Sequence, residues 1–346
     1  MNQVDKNLVV PKTIKADGLT FYNAVKEPFS LHGVWYDDGK LYRVDKNVAP
    51  TVSANIVQKS TQTAGGRVRF RTNSTRIAIK SVLHNTEDVT IMTDVATKGF
   101  DFYADGDFVR CFSPVPGQGD GDFESLRETG EAREREICVN LPLYSGIEEL
   151  YIGLDEGATL SAPKPYTIEK PVVFYGSSIT NGACASRPGM TYESMVSRRL
   201  DCDFHNLGFG GSARGERTMA EYIAGFDMSA FVLDYDHNAP TVEHLEKTHE
   251  AFFMTVREKH PDIPIVMLSR PHDLNTDGLI KRYEVVKRTY EAARARGDQN
   301  VYLICGYELF EGMNDDLTVD AIHPNDIGFL RMANAVAEVL EKAFKK

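Results

Sequence analysis

The sequence lacks the features of nucleic-acid-binding and membrane proteins. Its 346 residues include 50 acidic and 39 basic side chains, for a formal net charge of −11, and the basic residues form no block. Such a chain offers no positive surface to phosphate backbones or to anionic lipids. No apolar run approaches the roughly 20 residues that a membrane helix needs. We therefore expect neither nucleic-acid nor membrane partners.

Cysteine is scarce and unpaired in the sequence. No two of the five cysteines form a Cys-x-x-Cys pair that would hold a metal or act as a redox couple. The first 20 residues also lack an apolar core preceded by basic residues. We therefore expect a cytoplasmic protein, or a secreted or periplasmic one if a signal peptide has been removed. The predicted free thiols are Cys111, Cys138, Cys184, Cys202 and Cys305.

The chain up to about residue 160 has the pattern of strands joined by turns. In residues 67–71, apolar and basic side chains alternate, which is typical of a strand with one buried face. This part predicts an antiparallel β-sandwich, whereas the polar stretch 114–136 predicts a long loop or a lid. The predicted strands cover residues 68–70, 77–82, 89–92, 108–112 and 150–154.

Three prolines mark a predicted domain boundary. Pro163, Pro165 and Pro171 suit an extended connection better than a helix or a central strand. We therefore predict two domains, residues 1–165 and 166–346. In the second, apolar runs and helical patterns alternate, which predicts a parallel sheet covered by helices on both faces. The predicted strands are 172–175, 204–207, 230–233, 265–268 and 301–304, and the predicted helices are 192–200, 216–224, 242–259, 279–296 and 327–344.

Reactive residues follow these apolar runs, at the edge of the sheet where ligands of parallel α/β proteins bind. Ser178 follows the first run, a glycine-rich turn ending at Gly211 the second, and Asn238 the third. A serine hydroxyl needs a base, which His323 supplies once Asp320 fixes its tautomer. A spacing of three residues predicts that Asp320 and His323 share one helical turn, with Pro324 in the first turn of the closing helix. The backbone N–H groups of Ser178 and Gly211 and the amide of Asn238 are predicted to form an oxyanion hole.

These blocks resemble those of the SGNH (GDSL-like) hydrolases. GSSIT, NLGFGG, the asparagine after the third strand and DAIHP occur in the family's order and spacing over residues 170–345. The resemblance implies a flavodoxin-like parallel sheet, a Ser178–His323–Asp320 triad and no cofactor. Residues 99–103, GFDFY, resemble the Gly-x-Asp-Leu-Tyr signature of a bacterial branch with an amino-terminal β-domain, which implies a jelly-roll-like sandwich. Similar two-domain enzymes include esterases that remove acetyl groups from sugars.

Some positions depart from the family pattern or carry a weaker prediction. Ser177 and Ala239 stand where aspartate is common in the family, and neither belongs to the triad. Arg187 and Arg270 are predicted near the active edge, where they contact either the substrate or a surface carboxylate. The spacing of the histidines at 205, 237 and 272 fits no common ligand set, so we predict no metal site. Trp35 is expected in a core, with a sugar-stacking platform as the alternative.

Two other functions compete with ester hydrolysis. The chain could be a glycan-binding protein with a relic hydrolase domain, although a relic has no need to retain all five site residues. Alternatively, GSSIT could hold a phosphate at a helix start, as in flavin-binding proteins, but this leaves DAIHP unexplained. The sequence predicts a small-molecule or oligosaccharide acyl ester as substrate. It leaves the acyl group, its carrier and the oligomeric state open.

Overall fold

The computed structural model describes residues 13–14, 17–272 and 276–345. The chain forms two compact units, of which the first contains residues up to 43, 61–165 and 187–189. The second unit contains residues 44–60, 166–186 and 190–346. The division therefore differs from the predicted domains by two segments, residues 44–60 and 187–189.

The first unit is built from short strands. Together with two helices that belong to the second unit, its elements in chain order are β1 (Leu19–Asn23), β2 (Ser30–His32), β3 (Trp35–Asp37), β4 (Lys40–Tyr42), α1 (Ala49–Val52), α2 (Ala54–Lys59), β5 (Arg67–Thr72), β6 (Arg76–His84), α3 (Asp94–Lys98), β7 (Phe100–Ala104), β8 (Asp107–Phe112), β9 (Gly121–Glu128), β10 (Arg135–Asn140), β11 (Gly146–Asp155) and β12 (Leu160–Ser161).

Two antiparallel sheets enclose the core of the first unit, so the predicted β-sandwich is confirmed. One sheet has the order β1-β11-β6-β9, and the other has the order β12-β5-β10-β7-β8, with β2 paired to β5. One hydrophobic cluster takes side chains from both sheets, including Phe70 of β5 and Ile79 of β6. The alternation predicted for residues 67–71 holds for 68–71, where Val68 and Phe70 are fully buried and the arginines at 69 and 71 are partly exposed. Arg67 departs from it, because it is buried and donates to the Gly65 carbonyl.

Two predictions for this unit were wrong. Residues 89–92 form a turn closed by a hydrogen bond from Met92 N–H to the Val89 carbonyl, because they precede the capped helix α3 instead of pairing with a strand. The polar stretch 114–136 contains strand β9, which pairs with β6 at the edge of its sheet. An edge strand can keep polar side chains on its solvent side, so its sequence resembles a loop. Trp35 is partly buried in the β3–β4 hairpin, beside the exposed Tyr36.

The second unit alternates strands and helices. Its remaining elements are β13 (Ile168–Gly176), α4 (Ser178–Asn181), α5 (Tyr192–Leu200), β14 (Cys202–Gly208), α6 (Arg217–Ala224), β15 (Ala230–Asp234), α7 (Val242–Lys259), β16 (Ile265–Leu268), α8 (Asp277–Ala295), β17 (Val301–Ile304), α9 (Gly306–Phe310), α10 (Asn314–Leu317) and α11 (Asp326–Phe344).

The five strands of this unit pair in parallel, in the order β14-β13-β15-β16-β17. This is the flavodoxin-like order 2-1-3-4-5, so the predicted fold of the second unit is confirmed. The residues of the inner strands β15 and β16 are all buried, as expected for parallel strands with helices on both faces. The carboxyl ends of these strands therefore meet at one edge, where the candidate site lies.

The position of Pro171 differs from the prediction, which placed this residue outside a central strand. It falls within β13, which pairs with β14 on one side and β15 on the other. Pairing with β14 shifts register between Ile168 and Val172, so the residue without an N–H sits in an irregularity of the ladder. Its carbonyl is still used, because it accepts a hydrogen bond from Ser229 N–H.

In the part of the chain that the structure describes, no helix combines the length and the apolar character needed to span a membrane.

Candidate active site

Ser178 begins the short helix α4 directly after the central strand β13. The hydroxyl of Ser177 caps this helix by accepting a hydrogen bond from Ile179 N–H at 3.1 Å. Serine at 177 thus caps the helix, a role that aspartate also fills well. Gly176 allows the tight strand-to-helix turn, because a Cβ there would lie 2.2 Å from the Asp234 carbonyl oxygen. The turn leaves Ser178 partly exposed at the sheet edge.

Backbone and side-chain hydrogen bonds join the predicted blocks to one another. Ser177 N–H donates to the Asp234 carbonyl at 3.1 Å, which connects the ends of β13 and β15. Phe209 N–H donates to the Gly176 carbonyl at 2.9 Å, and the Phe209 carbonyl accepts from the Asn238 amide at 3.1 Å. The serine block, the glycine block and the asparagine therefore form one connected edge.

The serine hydroxyl, the imidazole and the carboxylate lie in a continuous line. Ser178 Oγ is 2.8 Å from His323 Nε2. His323 Nδ1 is 2.9 Å from Asp320 Oδ2 on the other side of the ring. In this arrangement Nδ1–H donates to Asp320 and leaves Nε2 free to accept the serine proton. The structure brings all three predicted residues together across 145 positions of sequence.

The turn that carries Asp320 and His323 is not helical, which corrects the sequence prediction. Asp320 Oδ1 accepts hydrogen bonds from Ile322 N–H at 3.1 Å and from His323 N–H at 2.8 Å. Ala321 has φ of +63°, a left-handed conformation that costs a residue with a Cβ roughly 1–2 kcal/mol. Pro324 forms an isolated bridge with Thr318, and the closing helix begins only at Asp326, capped by Asn325.

Hydrogen bonds keep Asp320 in its ionised form. Burial tends to raise the pKa of this carboxyl, but the hydrogen bonds from the backbone and ring of His323 outweigh burial and hold the pKa below its usual range. The side chains of Asp320 and His323 are 27% and 17% exposed, so water reaches the pair only in part. The carboxylate is therefore available to orient the imidazole at neutral pH.

The predicted oxyanion donors lie in open or half-exposed positions at the same edge. Gly211 has φ of +66°, and a Cβ placed on it would meet no atom within 4 Å, so the space beside its Cα is open. Asn238 ends a 3₁₀ turn that starts at Asp236. One hydrogen of its amide is used by the Phe209 carbonyl, which fixes the side chain and leaves the second hydrogen for a ligand.

Sequence reasoning missed a pair of buried acids below the nucleophile helix. Asp234 Oδ2 accepts hydrogen bonds from Thr180 of α4 at 3.0 Å and from the Tyr192 hydroxyl at 3.2 Å. Burial, and then the neighbouring charge of Asp236, raise the pKa of Asp234 well above its ordinary value. Burial also raises the pKa of Glu193 well above its ordinary value. The only signal was that Asp234 directly follows the apolar run 230–233.

The two arginines predicted near the active edge have partners within the protein. Arg187 belongs to the first unit, where its Nη1 lies 2.7 Å from Asp101 Oδ2 and 2.6 Å from the Tyr103 hydroxyl. Asp101 and Tyr103 are the aspartate and tyrosine of the GFDFY motif. Arg270 Nη2 donates to the Ala321 carbonyl at 3.2 Å, next to Asp320. The predicted substrate contacts of Arg187 and Arg270 remain predictions.

The described residues contain no group of three or more His, Cys, Asp or Glu side chains that could hold a metal ion. Cys184 lies near Asp320, and burial, followed by the charge of Asp320, raises the pKa of its thiol to about 12. It is therefore a neutral neighbour of the site and not a competing nucleophile.

Two family models match the chain. The GDSL-like lipase/acylhydrolase family matches residues 169–341, and the amino-terminal domain of SGNH-hydrolase-type esterases, named for its GxDLY motif, matches residues 19–160. No curated protein matches the sequence. A GDSL-like lipase from Bacteroides ovatus is 31% identical, with a TM-score of 0.83 over 94% of this chain and 98% of that one.

Two further solved structures share the fold at lower identity. The salicylyl-acyltransferase SsfX3 of a tetracycline biosynthetic pathway is 22% identical, with a TM-score of 0.79 over 95% of this chain and 98% of that one. A family two carbohydrate esterase from Clostridium thermocellum, solved with cellohexaose, is 17% identical, with a TM-score of 0.64 over 82% of this chain and 94% of that one.

Proposed function

Because this chain belongs to the GDSL-like lipase/acylhydrolase family, we propose that it hydrolyses acyl esters of carbohydrates, acetyl esters above all, with Ser178 as nucleophile. The family makes it an ester hydrolase; the catalytic residues and the substrate are the proposal. The observation that carries it is the line from Ser178 Oγ through His323 to Asp320, with distances of 2.8 and 2.9 Å.

Acylation begins with attack of Ser178 Oγ on the ester carbonyl carbon. The serine proton passes to His323 Nε2, which already lies within hydrogen-bond distance. Asp320 stabilises the imidazolium through Nδ1–H and through its negative charge. When the tetrahedral intermediate collapses, the C–O bond to the alcohol breaks, and the proton on Nε2 goes to the departing alkoxide. The products are the free alcohol and an acyl group on Ser178.

Charge on the tetrahedral oxygen is stabilised by donors that do not move during the reaction. The N–H groups of Ser178 and Gly211 and the second amide hydrogen of Asn238 serve this purpose. The bond from Asn238 to the Phe209 carbonyl, 3.1 Å long, holds the amide in place beforehand. Deacylation repeats the steps with water, which His323 deprotonates, and it releases a carboxylic acid and the free enzyme.

The proposed substrate class is supported by similarity and by the net negative charge of the chain. One structural neighbour is a carbohydrate esterase that was solved with an oligosaccharide, and the chain spans nearly the whole of that neighbour. The net charge of −11 suits a neutral sugar ester better than a phosphorylated or otherwise anionic one. As the compartment we propose the cytoplasm, or a secreted or periplasmic location if a signal peptide has been removed.

Hydrolysis of matched esters tests this function. Wild type, Ser178→Ala and Ser186→Ala are compared on p-nitrophenyl acetate, butyrate and octanoate and on acetylated oligosaccharides. Ser186 is an exposed serine of the same segment that bonds Asp326, so its variant controls for handling and folding. We expect acetate release that favours sugar esters, is lost in Ser178→Ala and persists in Ser186→Ala. Full activity of Ser178→Ala would overturn the nucleophile assignment, and turnover of octanoate alone would overturn the substrate class.

A further inference from the structure

Arg270 holds the turn that carries Asp320 and His323. Its Nη2 donates to the Ala321 carbonyl at 3.2 Å, although the two residues are 51 positions apart in sequence. Ala321 lies between Asp320 and His323 and has the left-handed φ of +63°. The Ala321 carbonyl belongs to the rigid peptide plane that leads into Ile322, so a donor at this oxygen restrains the course of the turn.

The exposed part of the turn has little support from packing. Val319 and Ile322, its two large apolar side chains, are 49% and 39% exposed, whereas Pro324 at its end is buried. Within the turn, Asp320 Oδ1 accepts from two backbone N–H groups, and Val319 N–H donates to the His323 carbonyl. These local bonds set the shape of the turn. Its position against the sheet depends on contacts with other segments, such as that of His323 with Ser178 and that of Ala321 with Arg270.

Arg270 is itself fixed by a buried carboxylate. Its backbone N–H donates to Asp236 Oδ2 at 3.2 Å, and Arg282 Nη1 donates to the Asp236 carbonyl at 2.6 Å. Burial favours the neutral acid at Asp236, but the hydrogen bond and charge of His237 outweigh burial and lower its pKa. The same residue opens the 3₁₀ turn that ends at Asn238. One carboxylate thus ties together the ends of β15 and β16.

The cavity on one side of Arg270 is too small for a substrate group. It lies between Arg270, Arg282, Asp236 and His272 and has a volume of about 10 Å³. A volume of this size holds about one water molecule. An acyl chain or a sugar does not fit in this cavity, and Ala321 is not among the residues that line it.

We propose that Arg270 is a positioning residue, which places Asp320 and His323 against Ser178 by holding the Ala321 carbonyl. The inference rests on the proposed function. The charged groups that face the guanidinium are Asp236, Asp320 and Arg282, with His272 and Tyr283 on the same small cavity. Near the imidazole the charged group is Asp320, since the neighbouring Cys184 stays a neutral thiol.

Kinetics of Arg270→Met and Arg270→Lys distinguish positioning from substrate binding. Misplacing a catalytic group by about 1 Å costs on the order of 10²-fold, so we expect Arg270→Met to lower kcat roughly 10- to 100-fold with KM nearly unchanged. Arg270→Lys keeps a cationic donor and should recover part of the lost kcat.

Arg331→Met is the matched control. Arg331 Nη1 also donates to a backbone carbonyl, that of Leu309, at 2.8 Å in the same unit, and it contacts no residue of the segment 319–323. We expect its kcat and KM to equal those of wild type. A KM increase in Arg270→Met with unchanged kcat would overturn the proposal in favour of substrate contact, and an equal loss in Arg331→Met would reduce it to general destabilisation.

A signal that does not depend on turnover separates this proposal from the function. The hydrogen-bonded Nδ1–H of His323 should give a downfield proton resonance, assigned by its loss in His323→Gln. We expect the resonance in wild type, Ser178→Ala and Arg331→Met, and its shift or loss in Arg270→Met. If it does not change in Arg270→Met, the positioning role fails whatever the activity. If the resonance changes in Arg270→Met while Ser178→Ala still hydrolyses esters, the proposed function is wrong but the positioning role is retained.

Discussion

The two units of this protein treat buried charge in opposite ways. In the first, Asp101 is fully buried but accepts hydrogen bonds from Asn140, Arg187 and Gly189. In the second, Glu193 is fully buried and forms no ion pair with a basic side chain among the described residues, and burial raises the pKa of its carboxyl well above the ordinary value. The partners of Asp101 offset the free-energy cost of burying its charge. The burial of Glu193, which has no such ion partner, lowers the free energy of unfolding.

The unfavourable burial of acidic side chains occurs in the unit that contains the candidate active site. Asp234 Oδ1 has no hydrogen-bond partner among the described residues, and Asp234 Oδ2 accepts a hydrogen bond from Thr180 of the helix that Ser178 begins. Functional sites commonly depart from the packing and charge-pairing patterns that the rest of a protein follows. The comparison thus predicts that substitutions at the site edge change activity more than stability, and that substitutions of paired charges in the first unit do the reverse.

The largest expected effect is the loss of activity in His323→Ala. Removing the base from a serine hydrolase triad lowers kcat by about 10⁶-fold, and the partly exposed ring contributes little to the core. Steady-state kinetics on the best ester measure the loss of activity, and thermal unfolding of the same sample measures the stability. Loss of activity accompanied by a large fall in unfolding temperature would break the comparison.

Asp101→Ala should destabilise the protein by about 3–5 kcal/mol, the cost of leaving one partner of a buried ion pair alone. The Arg187 guanidinium, 2.7 Å from the carboxylate, would lose its anion. Urea unfolding measures the change. Arg133→Ala is the control, because its pair with Asp105 is exposed and should contribute less than about 1 kcal/mol. Equal losses in both variants would contradict the structural role of the buried pair.

Asn238→Ala should lower kcat by roughly 10²- to 10³-fold, which corresponds to one oxyanion donor. KM and unfolding temperature should change little, since the amide makes one bond to the Phe209 carbonyl. Asn300→Ala removes an equivalent amide bond, to the Asp262 carbonyl, and should leave the kinetics unchanged. A kcat of wild-type size in Asn238→Ala would remove this residue from the oxyanion hole.

The smallest expected effect is on stability against pH in Glu193→Met. The pKa of Glu193 is raised in the folded protein above its unfolded value of about 4.3, so its contribution is full below that pH and is lost as pH rises through the folded pKa. Methionine does not titrate. We expect the stability of the variant relative to wild type to increase as pH rises above about 4.3, by about 1–3 kcal/mol at neutral pH, the range for burying a polar group, as measured by urea unfolding at several pH values. Parallel pH dependences would mean that Glu193 is paired or hydrated.

Much of the second unit could be predicted because its strands are buried on both faces. Such strands appear as continuous apolar runs, and the predicted strands 265–268 and 301–304 coincide with β16 and β17. Helices α5 and α7 also have the predicted bounds, since each begins after a capping threonine. The polar edge strand β9 gave no such signal, and neither did the left-handed Ala321, because alanine does not mark that conformation.

The site was predictable only to the extent that its residues are reactive types at strand ends. Ser178, Asn238, Asp320 and His323 were found in this way, and the structure brings Ser178, His323 and Asp320 together. Asp101 and Arg187 were noted separately, but their pairing joins positions 86 apart and depends on the packing of the first unit. The burial of Asp234 and Glu193 likewise follows from tertiary packing, which local sequence patterns do not encode.

The central claim, that Ser178 carries the acyl group, is tested most directly by trapping the acyl-enzyme. The protein is mixed with p-nitrophenyl acetate, quenched in acid within the first turnovers and analysed by intact and peptide mass spectrometry. We predict a mass increase of one acetyl group on the peptide containing Ser178, absent in Ser178→Ala and greatly reduced in His323→Ala. Acetylation at another residue, or turnover by Ser178→Ala without any adduct, would contradict the account.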